Sequence, residues 1–212
     1  RWLGRCLDWH AEHGPPGQAV YGIVQGGTHE DLRRESVDAV SAAGVDGLAI
    51  GGTLGRDKEE MGEVLEMTTG LLPREAPVHL LGIGEPDDLV RNITLGIDSF
   101  DCAVPTRLGR HGMALAPMPE RRYRYDVSRA AHATDDGPLV DGCPCPACAR
   151  FSRAYIHYLC RADELTGVRL VTIHNLAYIE AIVSGAREAI LAGRLAAFRD
   201  AILAGAAPWE AG

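Results

Sequence analysis

Apolar and polar positions in the first hundred residues follow one repeating order. A short β-branched or leucine-rich run ends in glycine or proline, and a charged segment with apolar residues at helical spacing follows. The runs are Ala19–Val24, Gly47–Ile50, Val78–Leu81 and Ser99–Val104, ending at Gln25-Gly26-Gly27, Gly51-Gly52, Gly82-Ile83-Gly84 and Pro105. Helices are predicted over residues 30–43, with Leu32, Val37 and Val40 inward, and over 59–71, with Met61, Val64, Leu65 and Met67 inward. A third opens at Glu85-Pro86-Asp87-Asp88, where proline and acids mark a first turn. Residues 1–13 read as a polar helix. Strands alternating with helices predict a parallel α/β fold, and near-continuous apolar strands predict a sheet covered on both faces. The candidate architectures are a doubly wound sheet and a (β/α)₈ TIM-type barrel, which needs about 250 residues. Four βα units make about half a barrel. In either architecture chemistry is expected at the C-terminal strand ends, here Gln25, Gly51-Gly52, Gly82 and Asp101.

The rhythm stops after Pro105. Residues 105–142 read as irregular structure with short strands, 149–165 as a helix, and 175–204 as one or two alanine-rich helices with Gly185 and Gly193 as candidate breaks. At 46% hydrophobic and 24% charged residues, the chain excludes disorder. Its apolar runs fall far short of the roughly 20 residues that span a bilayer, and no signal peptide opens it. No membrane role and a cytoplasmic location are therefore expected, and the missing initiator Met suggests a fragment.

The net charge of −8 by itself argues against a nucleic-acid partner. Its distribution changes that picture. Residues 1–99 hold 8 basic and 17 acidic residues, net −9, whereas 100–170 hold 10 basic and 8 acidic, net +2. All the basic residues but Lys58 are arginines, which suits bidentate contacts to phosphates or base edges, although a genome biased toward Arg codons would give the same count.

Three of the six cysteines form Cys143-x-Cys145-x-x-Cys148, and His174 follows 26 positions after the last. Three thiolates and one imidazole make a closed tetrahedral Zn²⁺ site, structural because no position is left for water. Disulfides and unrelated buried cysteines are the alternatives, the former disfavoured in an intracellular chain. Cys6, Cys102 and Cys160 lack partners at ligand spacing and read as buried thiols.

An ordered set of segments resembles one family. These are YGIVQGG at 21–27, LAIGG at 48–52, HLLGIGEPDDL at 79–89, GIDSFDCAVPTR at 96–107, the cysteine cluster, SRAYIHYL at 152–159 and TIHNL at 172–176. Together they resemble the C-terminal portion of bacterial tRNA-guanine transglycosylases and cover nearly the whole chain. The resemblance implies a modified (β/α)₈ barrel, present here as its C-terminal half, with a zinc-binding insertion and C-terminal helices. The expected organisation is a half barrel with an irregular insertion over 1–142, a zinc subdomain over 143–174, and helices packing on the barrel over 175–212. It also implies exchange of guanine at a tRNA wobble position for a 7-deazaguanine base in queuosine biosynthesis. That exchange runs through a covalent nucleosyl–enzyme, as in a retaining glycosidase.

By the same resemblance Asp101 is the nucleophile, Gln25 reads the base edge, Gly51 and Gly52 bring backbone up to it, and Leu81 packs on its face. Arg107 and Arg110 contact the anticodon loop, with Arg121, Arg122, Arg124 and Arg153 as further phosphate candidates. Cys143, Cys145, Cys148 and His174 hold the zinc. A homodimer is expected, with Phe151, Tyr155 and Tyr158 contributing apolar surface.

The chain departs from the family pattern at Thr53, which replaces Leu in a loop one residue shorter that meets the aminomethyl end of the base. It departs again at Glu85, where many members carry Lys for an RNA contact. The family's N-terminal half, with a base-reading aspartate and an acid/base aspartate, lies outside these residues, so the chain alone is expected to be inactive. A non-catalytic tRNA-binding subunit of the family and an unrelated barrel with structural zinc are the competing readings.

Overall fold

A computed structural model describes residues 1–52 and 54–211; Thr53, singled out above, lies outside them. Two compact units are present, one of residues 1–83 with 95–101, the other of residues 84–94 with everything from Cys102 onward.

In the first unit α1 (Trp2–His13) precedes β1 (Tyr21–Val24), α2 (Glu30–Ser41), β2 (Gly47–Ile50), α3 (Lys58–Thr69) and β3 (Val78–Leu81). The chain returns to this unit for β4 (Ser99–Asp101). The four strands are parallel in the order β1-β2-β3-β4. This order has no reversal, hence no switch point of the doubly wound kind, and the described strands form no closed barrel. Val24, Leu48, Ile50, Val78 and Leu80 share one face and form a core with Val37 of α2 and Leu65 of α3. The N-terminus of α3 is set by Asp57, whose carboxylate accepts from the Glu60 N–H at 3.0 Å.

The structure departs from three expectations in this unit and at the lone cysteines. The opposite sheet face is only partly covered: Tyr21, Ile23, Ser99 and Asp101 are exposed on it, while Gly47 and Ala49 of the central β2 are buried. On α2 the inward side is Arg33, Val37 and Val40; Leu32 is 47% exposed, while Arg33 is fully buried. Val37 and Val40 stand at i+4 and i+7 from Arg33 but at i+5 and i+8 from Leu32, and the strand ends described below take up the arginine. Cys6, expected inside, is exposed on α1, and Cys102 and Cys160 are only partly buried.

The second unit contains α4 (Pro86–Thr94), α5 (Val104–Arg110), β5 (Met113–Leu115), β6 (Arg124–Asp126), α6 (Pro146–Arg150), α7 (Arg153–Arg161), α8 (Leu165–Leu191) and α9 (Leu195–Leu203). β5 and β6 pair antiparallel. Pro105, expected to stop a strand, instead stands in the first turn of α5, where its fixed φ is favourable and its missing N–H costs nothing. The helix expected over 149–165 is two helices, because Ser152 leaves the helical path and caps α7 by accepting from the Tyr155 N–H. Of the two candidate breaks, Gly185 does not interrupt the helix. A Cβ there would stand 2.7 Å from the Phe198 ring, so this glycine lets α9 close onto α8, and the chain breaks only at Gly193, with φ of 69°. α8 therefore runs straight through positions 174 and 175. No described helix is long and apolar enough to cross a membrane.

Glu85 is half-buried and accepts both oxygens' worth of hydrogen bonds from Arg124 Nη2, at 2.8 and 2.7 Å, with Arg122 3.7 Å away. Arg124→Ala would strand this carboxylate. The variant is expected to lose about 2 kcal/mol, or about 4–8 °C in melting temperature. Part of that loss should return in the Arg124→Ala/Glu85→Ala double variant, measured by thermal denaturation.

Candidate active site and metal centre

β3 and β4 place four polar or functional positions on the open sheet face, because Leu81 is in register with Asp101 and His79 with Ser99. Asp101 ends β4 with its side chain 60% exposed. Its Oδ1 accepts from His79 Nε2 at 3.1 Å and from the Gly82 N–H at 3.3 Å. With Nε2 as donor, Nδ1 of the neutral ring accepts the Ser99 hydroxyl at 2.9 Å. The carboxylate is thus held by one oxygen at the mouth of the sheet. His79 was not singled out by sequence reasoning. The signal that could have found it is its place two residues before Leu81, on the same side of a strand.

Gln25, Gly51, Gly52 and Leu81 come together at neighbouring strand ends. A Cβ on Gly51 would lie 3.0 Å from Gln25 Nε2 and 3.2 Å from Leu81 Cδ1. One on Gly52, where φ is +84°, would lie 2.4 Å from Gln25 Oε1. The Gln25 amide therefore rests against backbone that only glycine can supply, and its donor and acceptor lie at the rim beside Leu81.

In the second unit, Arg107 and Arg110 occupy one face of α5, three residues apart, and both are exposed. Two of the further arginine candidates are engaged within the fold instead. Arg124 holds Glu85, and Arg153 pairs with Asp135, donates to the Leu139 carbonyl and lies over the Tyr125 ring. Burial pushes the Tyr125 phenol up to about 12, and its hydroxyl donates to Leu139 O at 2.7 Å.

Cys143, Cys145, Cys148 and His174 converge, their ligand atoms all lying within 4.8 Å of one another. The three sulfurs stand 3.6, 3.7 and 3.3 Å from His174 Nδ1. A tetrahedral Zn²⁺ with ordinary Zn–S and Zn–N lengths requires S to N edges of about 3.6 Å, so this donor set fits a structural zinc. Local order explains the convergence. Cys145 caps α6, its sulfur accepting from the Cys148 N–H at 3.4 Å. Buried His174 donates from Nε2 to the Leu115 carbonyl at 2.8 Å, which turns Nδ1 toward the sulfurs. The next residue, Asn175, accepts from the Leu115 N–H and donates to the Pro105 and Met113 carbonyls. These bonds tie α8 to β5 and to the start of α5. The thiols share charge: hydrogen bonds donated by Cys143 and then Cys148 hold Cys145 well below the ordinary thiol range, and Cys143 is raised correspondingly. A zinc here would be bound by thiolates and a neutral imidazole.

The first unit is thus a parallel α/β unit with a carboxylate at a strand end, and the second carries a Cys₃His cluster that could bind a metal ion. Residues 1–207 match the model of the queuine tRNA-ribosyltransferase family, and the chain belongs to that family. It is 48% identical over 207 residues to the queuine tRNA-ribosyltransferase of Roseiflexus sp. (strain RS-1), covering 93% of this chain and 52% of that protein. It is 44% identical over 213 residues to that of Symbiobacterium thermophilum, covering 100% and 51%. With that of Pseudomonas aeruginosa it shares 45% over 205 residues, covering 96% and 53%. The chain spans about half the length of these curated relatives.

Proposed function

We propose that the chain is the catalytic C-terminal half of a tRNA-guanine transglycosylase, its four strands an arc of a (β/α)₈ barrel whose interior face is the one carrying Asp101. The proposed organisation is a half barrel over 1–142, a zinc subdomain over 143–174, and closing helices over 175–212. The observation that carries this reading is the carboxylate of Asp101, exposed at a strand end and oriented through one oxygen by His79 and Gly82. An Asp101 oxygen attacks C1′ of the wobble nucleoside, and the C1′–N9 bond breaks with its electron pair leaving on guanine, which takes up a proton. N9 of the incoming 7-deazaguanine base then attacks C1′, displaces Asp101 and loses its proton. Two inversions retain the configuration.

Gln25 and the Gly51-Gly52 backbone read the edge of either base, and Leu81 packs on its face. Arg107 and Arg110 take the unpaired anticodon nucleotides by hydrogen bonding and stacking. Cys143, Cys145, Cys148 and His174 would hold a structural zinc, which would tie α6 and α8 into one core and take no part in bond-making. A homodimer uses the apolar side of α7, where Tyr155 and Tyr158 are exposed and Phe151 stacks on Tyr155 at 5.5 Å.

The test is labelled-guanine incorporation by the complete encoded protein into an anticodon stem-loop RNA with G at the wobble position. Incorporation should occur there and vanish when that G is replaced by A. RNA binding without incorporation would favour the non-catalytic tRNA-binding reading.

A further inference from the structure

A buried guanidinium is costly unless its donors are used, and Arg33 of α2 is fully buried. Burial lowers its pKa from the ordinary arginine value. Its Nε donates to the Gly27 carbonyl at 2.8 Å and Nη2 to the Gly51 carbonyl at 3.3 Å. These two oxygens belong to the loops that leave adjacent strands β1 and β2. Between those strands the backbone ladder ends with the Gly51 N–H donating to Val24 O at 3.1 Å, and immediately beyond it the guanidinium bridges the loops. One helical turn further along α2, the Ser36 hydroxyl accepts from the Gln25 N–H at 3.0 Å. The fit is close on the helix side: a Cβ on Gly26 would stand 2.7 Å from the Arg33 nitrogen and 2.8 Å from its Cγ. α2 therefore sets the position of both segments that carry Gln25, Gly51 and Gly52. A planar fork fixes two acceptors at one separation, which a lysine ammonium does not.

We propose that Arg33 is a positioning residue for base recognition, locking the Gly27 and Gly51 loops so that the Gln25 amide and the Gly51-Gly52 backbone present one edge to a purine-like base. The inference rests on the base-site reading above. It is tested in the complete encoded protein by guanine exchange into stem-loop RNA, with Arg33→Lys, Arg33→Gln, Gln25→Ala and Val37→Ala compared. Val37 is a core residue of the same helix whose side chain offers no hydrogen-bond donor to either loop, so it reports loss of packing. Both Arg33 variants are expected to raise the guanine KM about tenfold or more with kcat within about threefold, whereas Val37→Ala lowers the melting temperature with KM unchanged. Folded Arg33 variants with KM within about twofold of wild type would overturn the proposal. So would a KM rise no larger than that of Val37→Ala. If Gln25→Ala raises KM and the Arg33 variants do not, this inference alone fails; if Gln25→Ala leaves KM unchanged, the base-site reading fails and takes it along. Should neither Arg33 variant fold, hydrogen exchange of the wild-type protein decides. Guanine must then slow exchange over 25–33 and 48–52 together, and slowing confined to one segment refutes the coupling.

Discussion

Asp101→Asn is expected to lower guanine exchange by about 10³-fold or more and to abolish the denaturant-stable RNA adduct. The amide has nearly the size of the carboxylate and keeps an oxygen to accept from the Gly82 N–H. It lacks the charge that makes the oxygen a nucleophile and that the His79 N–H is arranged to meet. Because the side chain is exposed, little folding energy rides on it, and the melting temperature should move by no more than about 2 °C. The measurements are initial exchange rates and a denaturing gel of enzyme mixed with labelled stem-loop RNA. An adduct that survives the substitution would show that another residue attacks C1′, and the proposed role of Asp101 would fall. Activity lost together with a cooperative fold would count as damage to β4, not as chemistry.

Cys145→Ser should have the largest effect on the fold. The sulfurs of Cys143 and Cys145 lie inside a core with Ala147, Ile156, Leu159 and Val171, so metal and apolar packing are one structure there. Loss of one ligand is expected to reduce bound zinc from about one per chain to near zero and to unfold the second unit at 37 °C, since structural zinc contributes on the order of 10 kcal/mol in small domains. Chelation of the wild-type protein should reproduce the change, and zinc should restore it. The same chemistry fixes the direction with pH: the ligands bind as thiolates and neutral imidazole, so zinc is retained at neutral pH and released as acid protonates them. Elemental analysis and circular dichroism provide the readouts. A stoichiometric metal in Cys145→Ser, or an unchanged melting curve after removal of the metal, would remove zinc from the account of stability.

The interior of the second unit shows why such a centre is read from sequence more easily than its surroundings. Ligand spacing is a local constraint, and Cys143-x-Cys145-x-x-Cys148 places three sulfurs close together whatever else the chain does. The support of His174 is not local. Leu115, which receives its Nε2–H, lies 59 positions away, and Asn175 reaches Pro105 across 70. No pattern in the chain joins those residues. Glu85 is similar. As a residue type it suggests a lost RNA contact, whereas in space it anchors Arg124 across 39 positions.

Helix boundaries divide along the same line. Pro86, Asp57 and Ser152 act within one turn, although Ser152 separates two helices that periodicity alone merges. Gly185 shows the reverse case, where a residue with a poor helix propensity remains helical because Phe198 needs the space.

By itself the sequence determined the alternation of strands and helices, the positions at which strands end in glycine, and the three cysteine ligands. Each follows from contacts between residues close in the chain: side-chain period, backbone freedom and donor spacing. Only the tertiary structure decided that β1 to β4 line up without reversal, that one sheet face stays partly open, and that Arg33 displaces Leu32 as the inward residue of α2. It also decided that His79 meets Asp101. The physical reason is common to all four. A strand has two faces and a helix several admissible stripes of equal local energy, and the choice falls to partners far away in sequence, here two loop carbonyls and one carboxylate.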